Sequence, residues 1–386
     1  MPPLTPLRRK EALSAYLFIS PFLIWLVFLM GGPILAAFFL SFCSWDLIGD
    51  LKFVGLQNFQ EMFGFDKLTK IGEMVTSGPA TVTSVKTSAG QILDLSSPAV
   101  FQEPTSLLVL QDSAHKVMVQ SASTFHGFGA FLLQAFDWTL IPNDPRFWSA
   151  FYNTAYFTLF SVPIGMMLSI LVALLMNQKI KGIEVFRAVY YLASVLGTGV
   201  AMAVLWKWIF NADSGLLNYC LSAVTGIPIS ECPKWLASEL WSKPALIIMG
   251  FWNVGGGMII YLAGLQGIPQ THYEAAEIDG ANRWQQFLNV TLPGLSPVIF
   301  FNLIISLVFS FQIFNQVYVI TDGLGGPADS TLVLVLYIYQ KAFKYYQYGY
   351  ASALSCFLFL VIMAATYVQF RYSKWVYYEG EWLTGR

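Results

Sequence analysis

The chain has 386 residues, of which 56% are hydrophobic and only 11% are charged. Soluble domains carry about 25% charged residues, so this composition excludes an ordinary soluble enzyme and is typical of an integral membrane protein. The formal net charge is −1, which gives no basic excess of the kind that nucleic-acid-binding proteins carry. We therefore expect the lipid bilayer, and no nucleic acid, as a partner.

Six charge-free segments are long enough to cross a membrane as helices, which takes roughly 20 apolar residues. Trimmed at proline, glycine and polar residues, they predict transmembrane helices near 14–42, 148–176, 188–207, 246–266, 298–320 and 348–371. A seventh charge-free segment, Val117 to Phe136, contains several polar residues and two glycines, and we predict that it does not span. The expected fold class is an all-α polytopic membrane protein with six transmembrane helices.

Lysine and arginine are distributed unequally between the two predicted sides of the membrane. With the N-terminus inside, the cytoplasmic segments carry about twice as many of these residues as the short loops on the other side. The positive-inside rule then places both termini in the cytoplasm. The basic run Arg8-Arg9-Lys10 precedes a long apolar stretch, which favours a retained membrane anchor over a cleaved signal peptide.

Composition divides the chain into four parts: an N-terminal tail with helix 1 (1–45), an extracytoplasmic loop (46–146), a five-helix core (147–371) and a cytoplasmic tail (372–386). Within the loop, at about 75–125, short runs rich in valine, leucine, isoleucine and threonine indicate a small β module between helices 1 and 2. These runs are Thr81–Lys86, Gln91–Leu95, Ser106–Leu110 and Lys116–Gln120. A poorly ordered polar loop is the alternative interpretation.

The predicted cytoplasmic loop at 270–297 contains the most specific motif of the chain. Glu274-Ala275-Ala276 favours a short helix, and Gly280 suits a sharp turn with a positive φ angle. A helix is expected to resume over Trp284–Thr291 and to stop at Pro293. The loop is therefore predicted to form a helix-turn-helix whose apolar and acidic surface suits a groove in a partner protein.

The spacing of this motif resembles the EAA loop of binding-protein-dependent ABC transporter permeases. Glu-Ala-Ala, three residues, Gly, nine residues, Val, one residue and Leu-Pro follow that pattern, with Val290 where it usually has isoleucine. Other segments resemble the MalF-like sugar permeases of the maltose, trehalose and glycerol-phosphate type. These segments are Tyr16–Pro21, Ser44–Asp46, Phe53–Phe59, Gly215–Asn218, Gly325–Pro327 and Tyr337–Phe343. The resemblance covers nearly the whole chain except about residues 65–135.

The resemblance implies a permease subunit of an ABC importer for a carbohydrate, and not an enzyme. It implies that the loop docks into a cleft of a separate ATP-binding subunit, where Glu274 meets a basic side chain and Gly280 sets the bend. The loop residues implicated in this way are Glu274, Ala275, Ala276, Asp279, Gly280, Ala281, Leu292 and Pro293. The implied partners are a pair of ATP-binding subunits, a second and different permease subunit, and an extracytoplasmic sugar-binding protein. The implied location is the inner membrane of a prokaryotic cell.

Several catalytic motifs are absent from the sequence. No GxxxxGK[ST] phosphate loop occurs, so we expect ATP and Mg²⁺ to be bound by the partner ATPase subunit and no cofactor by this chain. Neither HExxH nor GxSxG occurs, and the three histidines lack the spacing of metal ligands, so no metal site is expected. The alternatives are an ABC permease for a non-sugar solute, a membrane enzyme acting on lipid or glycan, and a secondary transporter.

Polar residues within the fourth and fifth predicted helices indicate a substrate path, because such residues usually face a bundle interior or a water-filled cavity. Those of the fifth helix fall on one helical face, with Asn315 outside it. In the fourth helix, the run Gly255-Gly256-Gly257 is expected to loosen or break the helix. The predicted path residues are Trp252, Asn253, Asn302, Ser306, Ser310, Gln312 and Gln316. For the serines, adhesion between helices is the alternative role.

The chemistry of these residues favours a neutral polyol or oligosaccharide, since an aromatic ring suits the C–H face of a sugar and amides suit its hydroxyls. Apart from Lys207 and Arg371, each at the last position of its span, no charged residue lies within any predicted span. The lack of charged residues inside the spans disfavours an ionic substrate and a proton or sodium relay.

Cys220 and Cys232 share one predicted outer loop, which raises the question of a disulfide. An oxidising compartment permits one, and it would close a loop of about 13 residues. Nothing in the sequence fixes the Cα separation that a disulfide requires. Two unpaired thiols, with Cys220 partly buried, are the other alternative.

Overall fold

A computed structural model of the protein describes residues 6–75, 80–86, 92–101, 106–111, 117–121, 138–178, 180–196 and 199–377. The chain divides into two compact units, one formed by residues 56–148 and the other by the residues on both sides of it. The 56–148 unit consists mainly of strands, and the other unit consists mainly of helices.

The N-terminal span is helical throughout but contains a π-helical turn. Helix α1 covers Pro6–Trp25, the π turn covers Leu26–Gly31 and α2 covers Gly32–Leu40. The part Tyr16–Leu40 is long and apolar enough to cross a membrane. Its described side chains are mostly exposed, so this helix presents an apolar surface of the kind that faces lipid. A short antiparallel pair follows, β1 (Cys43–Ser44) with β2 (Lys52–Phe53).

The 56–148 unit begins with helix α3 (Gln57–Phe63) and continues into strands. The strands are β3 (Phe65–Val75), β4 (Ala80–Lys86), β5 (Ile92–Phe101), β6 (Ser106–Gln111), β7 (Val117–Ser121) and β8 (Trp138–Pro142). They form a four-stranded antiparallel sheet in the order β7-β6-β3-β8 and a separate hairpin of β4 and β5.

Strands β4 to β7 coincide closely with the four runs that the sequence analysis singled out, whereas β3 and β8 were not predicted. The predicted module at 75–125 is therefore too short, because the sheet also uses strands that begin at Phe65 and end at Pro142. The segment Val117 to Phe136, predicted not to span, begins with β7, and its residues 122–137 lie outside the described part of the chain.

The helical unit confirms the all-α polytopic membrane fold. Besides the N-terminal helix, four segments among the described residues are long and apolar enough to span a membrane. They are Pro145–Met176, Glu239–Gly267, Arg283–Ile320 and Tyr348–Arg371. A bent pair of helices gives a sixth span when it is counted as one crossing. We refer to Pro145–Met176 as α4.

The third predicted helix, 188–207, is wrong as a single helix. Helix α5 covers Ile183–Leu196 and α6 covers Val200–Ile209, and they meet at an angle of 97°. Gly199 immediately precedes α6 with φ +84° and ψ −160°, a conformation that is essentially restricted to glycine. The break escaped prediction because the third span was bounded by charged residues, although Gly197-Thr198-Gly199 is a sequence signal for a helix break.

The fourth and fifth spans are interrupted helices. Along the rest of the chain, the helices are α7 (Leu216–Thr225), α8 (Glu239–Gly250), α9 (Val254–Gly267), α10 (Gln270–Ile278), α11 (Arg283–Gln286), α12 (Leu292–Phe311), α13 (Asn315–Ile320), α14 (Leu334–Tyr339) and α15 (Tyr348–Arg371). A 3₁₀ turn at Phe251–Asn253 joins α8 to α9, and a break at 312–314 separates α12 from α13.

The apolar core of the helical unit lies where α4, α9 and α12 meet. It is built from Ala173, Met176, Met258, Tyr261, Leu262, Leu265 and Leu295. A Cβ atom at Gly264 would lie only 2.8 Å from Cγ2 of Val298, so the missing side chain lets α9 and α12 approach closely. This packing places the polar residues of both helices beside one another.

Candidate functional site

The Glu-Ala-Ala segment lies in helix α10, and the chain reverses directly after it. Gly280 has φ +76°. The amide of Ala281 donates to the carbonyl of Ala276 at 2.9 Å, and the amide of Gly280 donates to the carbonyl of Glu277 at 3.0 Å. These two bonds are the pattern of a Schellman motif, which ends a helix with a left-handed residue. The turn is therefore fixed by local backbone chemistry.

The next helix is started by a capping box that the sequence analysis did not use. The amide of Gln285 donates to Oδ1 of Asn282 at 2.9 Å, and the amide of Asn282 donates to Oε1 of Gln285 at 2.8 Å. Asn-x-x-Gln after a turn is a recognisable sequence signal for this device. The two caps together hold the angle between α10 and α11.

The prediction that Pro293 stops the helix is wrong. A π-helical turn at Phe287–Thr291 follows α11, and α12 then runs from Leu292 to Phe311 with Pro293 at its start. A proline within a continuous helix removes one amide donor, and the π turn directly before Pro293 is the kind of local rearrangement that accompanies such an interruption. The loop is thus continuous with the fifth span, because α11, the π turn and α12 follow one another without a gap.

Side-chain contacts hold the loop against the base of α12. The Tyr273 hydroxyl lies 3.0 Å from Oγ1 of Thr291, which is buried. A Cβ atom at Gly294 would lie 2.9 Å from Cδ1 of Ile268, so the start of α12 packs closely on the end of α9. These contacts make the loop a rigid attachment of the helix bundle.

The outward surface of this loop is acidic and apolar. Glu274, Ala275 and Asp279 are exposed. Ile278 is 87% exposed and Trp284 is 66% exposed, with the Trp284 ring stacked on Phe287 at a centroid distance of 5.5 Å. An exposed isoleucine and tryptophan beside carboxylates form the kind of surface that buries itself against a partner protein.

A cavity of about 580 Å³ lies between α4, α6, α8, α9, α12 and the break before α13. Of the predicted path residues, Asn253, Asn302, Ser306, Ser310, Gln312 and Gln316 line it. Trp252 does not line the cavity, because its indole Nε1 donates to the carbonyl of Ala193 on α5 at 2.9 Å. Trp252 thus anchors the 3₁₀ turn between α8 and α9.

The placement of Asn315 outside the polar face is wrong, because Asn315 also lines the cavity. The prediction assumed one continuous helix at 100° per residue, whereas α12 ends at Phe311 and α13 begins at Asn315. Because of the break, the angular positions of residues on α13 do not follow from those of residues on α12. The break also turns Gln312, Asn315 and Gln316 toward the same space.

Ser310 both lines the cavity and holds two helices together. Its hydroxyl donates to Oγ1 of Thr158 on α4 at 3.0 Å and lies 3.3 Å from Oγ of Ser161. Ser161 and Ser169 of α4 also line the cavity, and the sequence analysis missed them. Thr158, Ser161 and Ser169 fall on one helical face at 100° per residue, so the periodicity could have revealed them.

The expected break at the glycine run is also wrong. The interruption comes earlier, at Phe251–Asn253, and Gly255-Gly256-Gly257 is helical within α9. A Cβ atom at Gly255 would collide with the carbonyl oxygen of Tyr190 on α5, and one at Gly257 would lie 2.6 Å from Oγ of Ser169 on α4. The glycines therefore allow close packing of helices and do not loosen the span.

The structure contains no disulfide between Cys220 and Cys232, since both thiols are free. Cys220 is exposed, which contradicts its predicted partial burial, and Cys232 is buried. Cys220 lies on α7, whereas Sγ of Cys232 faces the carbonyl of Asn218 at 4.0 Å.

Comparison with known proteins agrees with this architecture. The family model "Binding-protein-dependent transport system inner membrane component" matches residues 143–376. The probable ABC transporter permease protein YesP of Bacillus subtilis (strain 168) is 32% identical over 97% of this chain and 94% of its own length. The lactose transport system permease protein LacF of Rhizobium radiobacter is 41% identical over 59% of this chain and 76% of its own length.

A solved structure gives the same result. The crystal structure of a bacterial alginate ABC transporter, in complex with an alginate pentasaccharide-bound periplasmic protein, contains a chain similar to this one with a TM-score of 0.54. The two share 25% sequence identity, over 65% of this chain and 84% of the other. Because the family model covers more than half of the chain and a relative matches nearly all of it, this protein belongs to the family of binding-protein-dependent transport system inner membrane components, the multi-pass permease subunits of ABC transporters.

Proposed function

We propose that this chain is one permease subunit of an ATP-driven importer for a neutral carbohydrate, a di- or oligosaccharide or a polyol. The observation that carries the proposal is the lining of the cavity. Amides and hydroxyls come from Asn253, Asn302, Ser306, Gln312 and Gln316, and no described lining residue is charged. Such a surface offers hydrogen bonds to sugar hydroxyls without favouring an ion.

Aromatic side chains in the same wall support this choice. Phe157, Phe309 and Phe314 line the cavity among the amides, and an aromatic face suits the C–H side of a sugar ring. Lactose appears in the name of one relative and alginate in that of the similar structure. The uncharged lining favours a neutral sugar over an acidic one such as alginate.

The transport cycle follows from the continuity between loop and cavity. A binding protein delivers the sugar to the outer face, and ATP with Mg²⁺ closes a pair of ATP-binding subunits. The loop at 270–297 docks on one of them, with Glu274 against a basic side chain. Because this loop continues into α12, its displacement moves Asn302 and Ser306 in the cavity wall, which gives alternating access. A second permease, different in sequence, supplies the other half of the path.

The proposal is tested by uptake and by capture of partners. Deletion of the gene is expected to abolish uptake of one radiolabelled neutral sugar among lactose, trehalose, maltose and arabinose oligosaccharides, and to leave uptake of glycerol phosphate unchanged. The affinity-tagged chain is expected to retain an ATP-binding subunit, and less of it with Glu274→Lys than with the control Glu184→Lys, since Glu184 is an exposed glutamate outside the loop at 270–297. Unchanged uptake of every sugar, or no captured ATPase, contradicts the proposal.

The proposed orientation, with both termini in the cytoplasm, makes a labelling prediction. Lys344 and Lys374 are both exposed lysines, before and after the last span. In a background with Cys220→Ser, a membrane-impermeant thiol reagent is expected to label Lys344→Cys in intact cells but Lys374→Cys only after permeabilisation. Labelling of Lys374→Cys in intact cells would show that the proposed orientation is inverted or the number of spans is odd.

A further inference from the structure

Tyr261 on α9 is a buried tyrosine whose hydroxyl has no partner. The residue is only 1% exposed, and its hydroxyl makes no hydrogen bond within the described part of the chain. Its neighbours in the core cluster include Met258, Leu262, Leu265 and Leu295, none of which has a side-chain group that bonds strongly to a hydroxyl. A buried polar group without a partner costs free energy of folding, and phenylalanine would fill the same space without that cost.

Tyr261 also belongs to the wall of the cavity. It lies eight residues after Asn253 on the way to the loop at 270–297, which corresponds to roughly 12 Å along a helix. Since Gly264 packs against Val298 of the antiparallel helix α12, Tyr261 lies at the level of Asn302. Tyr261 therefore lies at the end of the cavity nearest the loop at 270–297, where the polar lining gives way to the apolar core.

We propose that the hydroxyl of Tyr261 is a hydrogen-bond partner for a hydroxyl group of the transported carbohydrate at this end of the cavity. The inference rests on the proposed function. The hydroxyl is closed off by its neighbours in the present arrangement of the helices, so the sugar reaches it only after α9 and α12 have moved apart. The contact consequently forms during passage toward the cytoplasm and not during loading from the binding protein. Tyr261 thereby selects polyhydroxylated solutes at a second point along the path.

The test is Tyr261→Phe in the complete transporter, which removes one oxygen atom and keeps the ring. Uptake of the radiolabelled sugar that the wild-type transporter carries is measured over a range of concentrations. We expect the maximal rate of uptake to fall about three- to tenfold, which corresponds to the loss of one hydrogen bond. The KM is expected to be unchanged, because the contact forms only after loading. The melting temperature of the purified complex is expected to stay the same or rise, because an unsatisfied buried group has been removed.

Tyr350→Phe is the matched control, since Tyr350 is also buried and does not line the cavity. It is expected to transport at the wild-type rate. An unchanged maximal rate for Tyr261→Phe overturns the inference, and so does a lowered melting temperature that accompanies the loss, because that result assigns the hydroxyl a structural role. A change confined to KM overturns the placement of the contact after loading. Absence of sugar uptake in the wild type contradicts the proposed function itself and the inference with it.

Discussion

Gly280→Val is expected to abolish transport while the chain still inserts into the membrane. Gly280 has φ +76°, and a Cβ atom there would meet nothing within 4 Å, so the penalty arises from the backbone conformation alone. A non-glycine residue pays roughly 1–2 kcal/mol in this left-handed region, and a β-branched one pays more. The relief of that strain would unwind the Schellman turn and displace the exposed face that carries Glu274, Ile278 and Trp284.

Three substitutions at Gly280 separate the effect of backbone conformation from the effect of side-chain size. Gly280→Asn is expected to keep most of the transport activity, because asparagine tolerates positive φ. The activity of Gly280→Ala is expected to lie between those of Gly280→Asn and Gly280→Val. Uptake, capture of the ATP-binding subunit and the amount of protein in the membrane are measured for each variant. Equal loss in all three variants would mean that the small size of glycine matters and not its φ angle. Wild-type uptake by Gly280→Val would remove the turn from the coupling mechanism.

The turn in the loop at 270–297 could be predicted from the sequence because its geometry is determined by residues that are adjacent in the chain. The Schellman turn needs only a glycine at position 280, and the capping box needs only Asn282 and Gln285. The membrane spans could be predicted for a similar reason, since a helix that crosses a membrane needs only a sufficient length of consecutive apolar residues. The bend before α6 depends on the φ and ψ angles of Gly199. The sequence Gly197-Thr198-Gly199 indicates a break there but not its angle.

The cavity was only partly accessible to the same reasoning. Polar residues on α12 could be placed on a face, but the break after Phe311 shifts the phase that brings Asn315 inward. The run Gly255-Gly256-Gly257 has two physical interpretations, a weakened helix or a close helix contact, and only the position of α5 and α4 decides between them. The role of these glycines thus depends on tertiary packing and does not follow from local helix propensity.

Gly255→Ala is expected to destabilise the helix bundle and to lower uptake through that loss. The added Cβ atom would collide with the backbone carbonyl of Tyr190 and lie 3.1 Å from Cβ of Ser194, both on α5. A backbone carbonyl cannot rotate away as a side chain does, so α9 must move away from α5. Overpacking of this kind costs about 1–3 kcal/mol. A displaced α9 also moves Val254 and Gly257, which line the cavity, and the loop that follows at 270–297.

Gly267→Ala is the matched control, because Gly267 lies in α9 itself, does not line the cavity, and a Cβ atom there would meet nothing within 4 Å. Alanine is the better helix former by about 1 kcal/mol, so this variant is expected to be as stable as the wild type or more stable. Thermal unfolding of the purified protein and uptake are compared for both variants. If both alanines lower the melting temperature equally, the flexibility of the glycines is what the span requires. If only Gly255→Ala does so, its contact with α5 holds the cavity wall in place, and uptake should then fall in proportion to the folded protein that remains.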